Sequence, residues 1–380
     1  MRIAVAASGR FHVLDLAREL AALGHDVAFY SYVPRSGASR FGLPAVCHRA
    51  LLPAMAPWLA AQRLARGRQR EAWDRRVLER LDALIAARLQ PCDVFIGMSG
   101  LCVESARTAR EKYGARVFIE RGSRHILSQK QILDDMAIVA PQSSTVPNYA
   151  VERELASYRL ADVVVVPSQH VIESFLEQKF PEERLFKNRY GVDLKMFQPT
   201  PAPPAEKPVI LHVGTWSMQK GCDLLVAALQ RHRLDATLVH VGSIGDAPVP
   251  RTPFFVHHDP VPQWRLPEFY GRAHALVLAS RQEGMGLVLA QALACGAPIV
   301  CTDRTGGDDL KPCVLDRAAI TVVGVGEIES LARALRDAID WSRAMFPPGA
   351  VRDLLGAGRH ALSWRTYGER YNLELLKCAT

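Results

Sequence analysis

The feature that most constrains the fold is a strand-turn-helix pattern that repeats in two successive series. The first series opens with the apolar run 2–7, which a Ser-Gly pair ends, and an apolar helical periodicity follows up to Leu23. Such a run indicates a buried parallel strand, because helices cover both faces of a parallel sheet. The alternation predicts an α/β fold with parallel sheets. Further strand-like runs in this series are residues 26–30, 94–97, 117–120 and 163–167.

A proline-rich segment, residues 191–208, separates the two series. It contains five prolines and no periodicity, which is typical of a stiff connector. A length of 380 residues also favours two domains. We therefore predict two Rossmann-like βα domains, residues 1–195 and 205–345, that face each other across a cleft, the default ligand site. A helical segment over residues 350–380 is expected to pack back on the first domain.

The charge distribution points to an anionic partner of the first half of the chain. Residues 1–200 carry 28 basic and 21 acidic side chains (+7), whereas residues 201–380 carry 19 and 18 (+1). A phosphate-bearing ligand, an acidic membrane surface and nucleic acid all fit a basic excess, and charge alone does not choose among them.

The basic excess is concentrated in residues 58–89, which hold eight arginines against four acidic residues, with Leu, Trp and Val between them. One interpretation is a helix that lies on a membrane surface or faces an acceptor. The other is a solvated helix with ordinary acid-base pairs along it. The sequence leaves both open.

No segment predicts export or a membrane span. The apolar start is too short for a signal-peptide core, and no run approaches the ~20 apolar residues of a spanning helix. The eight cysteines form no Cys-x-x-Cys pair and no zinc-spaced cluster with His. A reduced, cytoplasmic protein is therefore expected, with peripheral contact at the inner face of the membrane as an open possibility.

Residues 280–297 are the most informative about chemistry. The helix that they contain is apolar on all sides except at Gln291, so it is buried and its N-terminus lies inside the protein. The preceding turn has glycines at positions 284 and 286, which let exposed amides and the helix dipole meet an anion such as diphosphate. The alternative is a glycine-rich turn that only joins a strand to a helix.

Three motifs resemble glycosyltransferase family 4, whose members are retaining, nucleotide-sugar-dependent enzymes of the GT-B fold. They occur in the order and domain positions of the family, which makes the set specific. The resemblance covers residues 160–310 well, and the first domain only through its strand pattern. The motifs are residues 188–197, residues 213–221, and the group Glu283, Gly284-Met285-Gly286, Gln291 and Gly296-Ala297-Pro298.

The resemblance implies transfer of a hexosyl group from a nucleotide diphosphate sugar to a glycan or lipid-linked acceptor, with retention and without metal or other cofactor. It also implies no nucleic-acid partner. Lys220 would pair with the diphosphate, Glu283 would hold sugar hydroxyls, and Gln291 would reach the ribose. Thr215 stands where the family commonly has Arg, and Gln291 where it has a second Glu. Further donor-site candidates are Gly9, Gly214, Thr215, Gly242, Gly284, Met285, Gly286 and Leu287.

In the first domain, the turn after strand 117–120 faces the cleft. Many family members have a histidine near this strand end that contacts the transferred sugar. Arg121 matches that histidine by position and His125 by chemistry, so both are catalytic candidates; a partly exposed loop histidine is the alternative for His125. Two other functions stay open, a GT-B nucleotide-sugar epimerase and a non-catalytic nucleotide-sugar-binding subunit.

Overall fold

Two parallel β-sheets organise the chain in the computed structural model, which describes residues 1–141, 145–204 and 207–377. The predicted domain limits at residues 205 and 380 lie outside the described residues, as does Cys378. The other seven cysteines are described, and all are buried with free thiols.

The first sheet is entirely parallel. Its described strands are β1 (Arg2–Ala6), β2 (Asp26–Ser31), β3 (His48–Ala50), β4 (Val94–Met98), β5 (Arg116–Glu120), β6 (Val163–Val166) and β7 (Leu185–Lys187). They lie in the order β3-β2-β1-β4-β5-β6-β7. The strand order therefore reverses between β1 and β4, and such a switch point opens a crevice at the carboxyl ends of the strands.

Helices cover both faces of this sheet. On α1, Val13, Leu16 and Leu20 are completely buried, because residues three, four and seven apart share one side of a helix. The described helices of the first domain are α1 (His12–Ala22), α2 (Arg35–Arg40), α3 (Leu52–Leu64), α4 (Arg68–Arg88), α5 (Glu104–Tyr113), α6 (Ile126–Val139), α7 (Asn148–Leu160) and α8 (Gln169–Leu176).

A short strand, β8 (Thr200–Pro201), lies in the connector before the second sheet. The strands of that sheet are β9 (Val209–Val213), β10 (Thr237–Val241), β11 (Phe255–His258), β12 (Ala275–Leu278), β13 (Ile299–Thr302) and β14 (Ile320–Val323). They pair in parallel in the order β11-β10-β9-β12-β13-β14. The predicted two-domain α/β architecture is thereby confirmed.

The helices of the second domain are α9 (Cys222–Arg231), α10 (Leu266–Arg272), α11 (Leu287–Ala294) and α12 (Ile328–Met345). Residues 289–294 of α11 are all buried, because this helix lies inside the domain. Its N-terminus therefore opens towards the cleft from within the protein.

The last helix, α13 (Trp364–Lys377), packs on the first domain. A Cβ on Gly368 would lie 2.5 Å from Cβ of Glu19, so a glycine at this position lets α13 approach α1 closely. The Tyr371 ring lies 5.8 Å from the rings of both Phe118 and Phe186. The chain thus returns to the domain in which it began.

The structure corrects the helical interpretation of residues 351–363. Strand β15 (Val351–Arg352) pairs antiparallel with β8, and a 3-10 turn follows at Gly356–Leu362. The Asp353 side chain accepts hydrogen bonds from two main-chain amides, those of Leu355 and Gly356. Such a local turn competes with helix formation, so the helix begins only at Trp364.

Arg352 fixes this crossing segment to the second domain. The residue is completely buried, and burial lowers its pKa to about 10, which still leaves it charged at neutral pH. The C-terminal carbonyls of a helix carry partial negative charge, which suits a cation. Its guanidinium donates to the main-chain oxygens of Ala273 (2.7 Å), Tyr270 (3.0 Å) and Gly271 (3.1 Å) at the end of α10, and to Oγ1 of Thr200 (3.2 Å).

We predict that Arg352→Met lowers the free energy of unfolding by on the order of 3 kcal/mol, because several buried carbonyls lose their donor. Urea unfolding followed by circular dichroism measures the loss. Arg365→Met is the matched control, because Arg365 is 79% exposed and pairs only at the surface with Glu369. Equal stability of the two variants would show that the Arg352 bonds do not hold the crossing segment.

Candidate active site

A cavity of about 720 Å³ lies between the two domains, at the carboxyl ends of both sheets. The turns after β1, β4 and β5 form its first-domain wall. Gln263, Trp264, Leu287 and Gln291 form the second-domain wall. A second cavity, of about 740 Å³, is lined by Lys220 and by residues of the turns after β9 and β10.

Two glycines bring the turns after β9 and β10 together. Gly214 has φ +140° and Gly242 has φ +153°, a backbone region that side chains disfavour. A Cβ on Gly242 would lie 2.0 Å from the carbonyl oxygen of Gly214, so the contact requires glycine. Thr215 follows, with Oγ1 3.2 Å from Oγ of Ser243, and lines the cavity beside Lys220. Neither glycine itself lines the cavity, and the Gly214 and Gly242 amides already donate to the carbonyl oxygens of Val241 and His258 (both 3.0 Å).

Lys220 and Glu283 meet at this site although 63 positions separate them in the sequence. Lys220 Nζ forms an ion pair with Oε2 of Glu283, and the two side chains are 24% and 20% exposed. An ammonium group has three hydrogen-bond donors, so one contact with Glu283 leaves Lys220 able to bind an anion as well. The structure therefore brings the two principal donor-site candidates into one polar group beside the cavity.

The turn before α11 contacts the first domain. A Cβ on Gly284 would lie 1.9 Å from the carbonyl oxygen of Gly122, so the two backbones touch across the cleft. The Gly284 carbonyl oxygen accepts hydrogen bonds from Oγ of Ser168 (2.7 Å) and Nε2 of His170 (2.8 Å). The domain contact therefore requires glycine at position 284. The sequence had instead suggested that glycine allows the backbone to approach a ligand at this turn.

The other two residues of this turn also have protein partners. The amide of Gly286 donates to the carbonyl oxygen of Thr305 (3.1 Å), so it is not free for an anion. A Cβ on Gly286 would lie 2.5 Å from Cδ2 of Leu278, and Met285 is buried. Leu287, the first residue of α11, lines the interdomain cavity. Of this group, only Leu287 is placed to contact a ligand in that cavity.

Gln291 lies on the wall of the interdomain cavity and is only 6% exposed. Its Oε1 accepts a hydrogen bond from the buried hydroxyl of Tyr270 (2.9 Å). The side-chain oxygen of Gln291 therefore has an internal partner. A ribose contact through its nitrogen stays a prediction.

The two first-domain candidates are buried. The Arg121 guanidinium donates to Oε1 of Glu154 (2.7 Å), to the carbonyl oxygen of Arg124 and to the side chain of Gln129, although the residue borders the cavity. His125 packs against the Tyr158 and Phe175 rings, and its Nδ1 accepts from the Leu127 amide (3.3 Å) as the cap of α6.

Burial, with the nearby Arg121 guanidinium, lowers the pKa of His125 to about 4. The ring is therefore neutral at physiological pH and directed into the protein. The sequence had instead predicted a partly exposed histidine or a histidine that contacts the sugar. The structure does not place the imidazole of His125 in the interdomain cavity.

The cavity instead contains a histidine that the sequence analysis missed. His12 begins α1 and lines the cavity, and its Nε2 lies 2.8 Å from Oε2 of Glu120 at the end of β5. The Tyr190 ring packs against the imidazole, with the ring centres 4.4 Å apart. The available signal was a polar side chain at the start of the first helix, next to the carboxyl end of β1, where α/β sheets bind ligands.

Gly9, also after β1, borders neither cavity, and a Cβ there would meet only the Phe11 ring at 3.7 Å. Within residues 1–141, 145–204 and 207–377, no three His, Cys, Asp or Glu side chains are grouped to hold a metal ion. In the same residues, no helix is long and apolar enough to cross a membrane.

Two family models match the chain. One, described as a glycosyl transferase 4-like domain, matches residues 9–191, and the other, glycosyl transferases group 1, matches residues 207–340. The chain belongs to the group 1, family 4 glycosyltransferases. The family predicted from the sequence motifs is thus confirmed, and the protein is a transferase enzyme.

Curated relatives resemble parts of this glycosyltransferase. A D-inositol 3-phosphate glycosyltransferase from Xylanimonas cellulosilytica is 33% identical over 33% of this chain and 36% of its own length. A GDP-mannose-dependent phosphatidylinositol monomannoside mannosyltransferase from Mycolicibacterium smegmatis is 28% identical over 55% of this chain and 61% of its own length. The chain therefore spans less than two thirds of either relative.

Solved structures share the fold of the glycosyltransferase over its whole length. Sucrose-phosphate synthase from Thermosynechococcus elongatus has a TM-score of 0.66 at 18% identity, with 100% of each chain covered. Anabaena HepE in complex with UDP-glucose has a TM-score of 0.65 at 14% identity, covering 99% of this chain and 100% of that one. At these identities the likeness establishes the fold.

The interdomain bond from His170 predicts a pH dependence of stability. Burial lowers the pKa of His170 to about 4, and its Nδ1 is buried without a hydrogen-bond partner. Protonation would place a second N–H in that unpartnered position. An unfolded histidine titrates near 6.5, so the stabilisation is complete above that pH and is lost as the pH falls towards 4.

We therefore expect wild type to lose about 1–2 kcal/mol more stability than His170→Gln between pH 7 and pH 5. Glutamine can still donate to the Gly284 carbonyl oxygen but does not titrate. Urea unfolding at both pH values measures the difference, and His125, which has a similarly low pKa, titrates in both proteins and cancels. Equal losses would show that His170 is not held neutral.

Proposed function

We propose that this glycosyltransferase moves a hexosyl group from a nucleotide diphosphate sugar to a glycan or lipid-linked acceptor, with retention and without a metal. The main support for a nucleotide-sugar donor is the Lys220–Glu283 pair, which lies beside the glycine turns after β9 and β10. A cation beside these turns suits a diphosphate, and a carboxylate next to it suits sugar hydroxyls.

Lys220 would stabilise the leaving group as the glycosidic bond breaks. The departing nucleoside diphosphate gains negative charge, and a fixed ammonium group stabilises that charge more than it stabilises the bound donor. Glu283 would hold the sugar through its hydroxyls and keep the anomeric carbon at the cleft. With the donor held on the second domain, the acceptor would approach from the first domain.

The names of the relatives support these substrate classes. By its name, one relative uses a GDP-mannose donor, and HepE was solved with UDP-glucose. Two named acceptors, an inositol phosphate and a phosphatidylinositol mannoside, are polyols that carry phosphate. An anionic acceptor of this kind would match the +7 charge of residues 1–200.

An epimerase and a non-catalytic binding subunit are the alternatives. Incubation with a panel of nucleotide sugars, followed by measurement of nucleoside diphosphate release, separates the three. Release that an acceptor stimulates supports a transferase reaction, isomerisation without an acceptor supports an epimerase, and binding without turnover supports a binding subunit.

We predict that Lys220→Ala weakens binding of UDP or GDP by about 1.5–3 kcal/mol, the range for a hydrogen bond to a charged group. Isothermal titration calorimetry measures it. Lys207→Ala is the matched control, because Lys207 is 51% exposed and lies 3.4 Å from Asp235, at the start of β9. If Lys220→Ala and Lys207→Ala bind the nucleotide equally well, Lys220 is not part of the donor site.

The variant Glu283→Gln distinguishes binding of the nucleotide from binding of the sugar in the same titration. It removes the negative charge next to Lys220, so affinity for UDP or GDP should be kept or increase. The additional affinity that the sugar gives to the nucleotide sugar should fall, because Gln has one accepting oxygen where Glu has two. Parallel losses for nucleotide and nucleotide sugar would contradict the assignment of Glu283 to the sugar.

We also propose that the enzyme associates peripherally with anionic membranes through α3 and α4. Arg80 lies 5.8 Å from the Trp58 ring, Arg76 lies 5.2 Å from the Trp73 ring, and the two tryptophans contact each other at 6.1 Å. Asp82, one of the four acids of residues 58–89, is buried and caps α5, so its charge does not offset the arginines at the surface.

Two exposed acid-base pairs support the opposite interpretation, since Arg70 pairs with Asp74 and Arg75 with Glu79. Flotation with vesicles that contain anionic lipid tests the proposal. We expect association at low salt that weakens steeply as salt rises, because exposed charges are screened beyond ~8–10 Å at physiological ionic strength. No association at low salt would identify α3 and α4 as solvated helices.

A further inference from the structure

A third cavity, of about 640 Å³, lies wholly within the first domain and is here called the side cavity. Its volume falls in the ~300–1,000 Å³ range of small-molecule sites. The residues that matter for its chemistry come from the turn after β1, from α4, from the turn after β4 and from α7. They are Phe11, Leu78, Met98, Leu101, Tyr149 and Ala150.

The side cavity lies at the switch point of the first sheet. Its floor consists of the turns after β1 and β4, the neighbouring strands between which the strand order reverses. Open α/β sheets bind ligands in the crevice at this place. Residues of the second domain do not line it, so the donor site proposed above does not account for it.

The side cavity adjoins the interdomain cavity. Phe11, Met98, Ser99 and Glu154 line both. A molecule bound in the cleft, where transfer would take place, would therefore lie next to the side cavity. Phe11 is 44% exposed despite its size, which leaves an apolar ring uncovered at this junction.

The junction is held in place by an ion pair. Oε1 of Glu154 accepts from Arg121 at 2.7 Å, and both side chains are about nine-tenths buried. Gly100, with φ +70°, lets the backbone approach this carboxylate, because a Cβ there would lie 3.0 Å from Oε1. The pair neutralises the charge at the junction, so it presents no net charge to a ligand.

The arginines beside the side cavity are also occupied. Arg153 donates to the main-chain oxygens of Gly100 (2.7 Å) and Leu101 (2.6 Å), and pairs with Asp82. Arg75 lies over the Tyr149 ring at 4.3 Å. Two carboxylates of α4, Glu71 and Asp74, line the cavity as well, and Asp74 pairs with Arg70. Most of the remaining wall is aliphatic and aromatic, and it suits a non-polar ligand.

We propose that the side cavity binds the alkyl chain of a lipid acceptor whose hydroxyl group lies in the interdomain cavity. This inference rests on the proposed function, since it takes the cleft to be the place of transfer. It also narrows the acceptor class from glycan or lipid-linked acceptor to an amphipathic lipid. Helix α4, which forms one wall, is the basic helix proposed to face the membrane, so a lipid could enter from that surface.

Calorimetric titration with methyl, hexyl and octyl β-D-glucoside, in the presence of UDP or GDP and below micelle-forming concentrations, tests the proposal. Affinity should rise with chain length by up to about fourfold for each CH₂ group that enters the cavity. Methyl and octyl glucoside binding with equal affinity would overturn it.

Ala150→Phe should place a ring in the side cavity and abolish the dependence on chain length without changing nucleotide affinity. Ala60→Phe is the matched control, because Ala60 is exposed on α3 and lines no cavity described above. Thermal unfolding verifies that each variant is folded, and Leu78→Trp offers a second way to fill the cavity if Ala150→Phe is not. An unchanged octyl glucoside affinity in a folded, filled variant would locate the chain elsewhere and overturn the proposal.

The nucleotide titration distinguishes failure of this inference from failure of the proposed function. If UDP or GDP binds but chain length has no effect, the side cavity is not a lipid site, although the donor assignment is kept. If neither nucleotide binds but the filled variants still abolish a chain-length dependence, the lipid site is supported and the transfer function is not.

Discussion

The contact between Gly284 and the carbonyl oxygen of Gly122 determines how the two domains meet. Any side chain at position 284 would overlap that oxygen, so the domains approach this closely only because the residue is glycine. Ser168 and His170 donate hydrogen bonds to the Gly284 carbonyl oxygen. These bonds add a preferred orientation to a contact that would otherwise depend on shape alone. The interdomain cavity exists at its present width because this contact sets the distance between the two sheets.

The charged groups around the cleft fall into two kinds. Arg121 and Glu154 are paired and almost fully buried, so they maintain the shape of the first-domain wall. Lys220 and Glu283 are paired but partly exposed, beside a cavity large enough for a ligand. Lys220 and Glu283 can exchange each other for a ligand at a small cost in free energy, because solvent reaches both groups. Separation of a buried pair such as Arg121 and Glu154 costs several kcal/mol. We therefore propose ligand chemistry for the second domain's pair and a structural role for the first domain's pair.

Local patterns were sufficient to predict the strand and helix alternation and the family. The resemblance placed Lys220 and Glu283 in one donor site, but their ion pair was not predicted. Local patterns failed where a residue's role depends on a partner far away in sequence. The proximity of Gly122 to Gly284, and of His12 to Glu120, involves separations of more than 100 positions. Residues 351–363 were assigned to a helix because the pairing of Val351 and Arg352 with β8 has no local signal. His125 was assigned to the cleft because its aromatic neighbours come from other elements.

The chain crosses between the domains twice, once before β9 and once after α12, and the two crossings are joined. Strand β8 belongs to the first crossing and β15 to the second, and Arg352 anchors both to the end of α10. Two independent linkers would allow the domains to twist, slide and separate. Two linkers that are hydrogen-bonded side by side act as one hinge. The remaining relative motion of the two domains is then mainly rotation about a single axis. Opening would then widen the cleft at the edge opposite the crossings, which gives substrates one direction of entry.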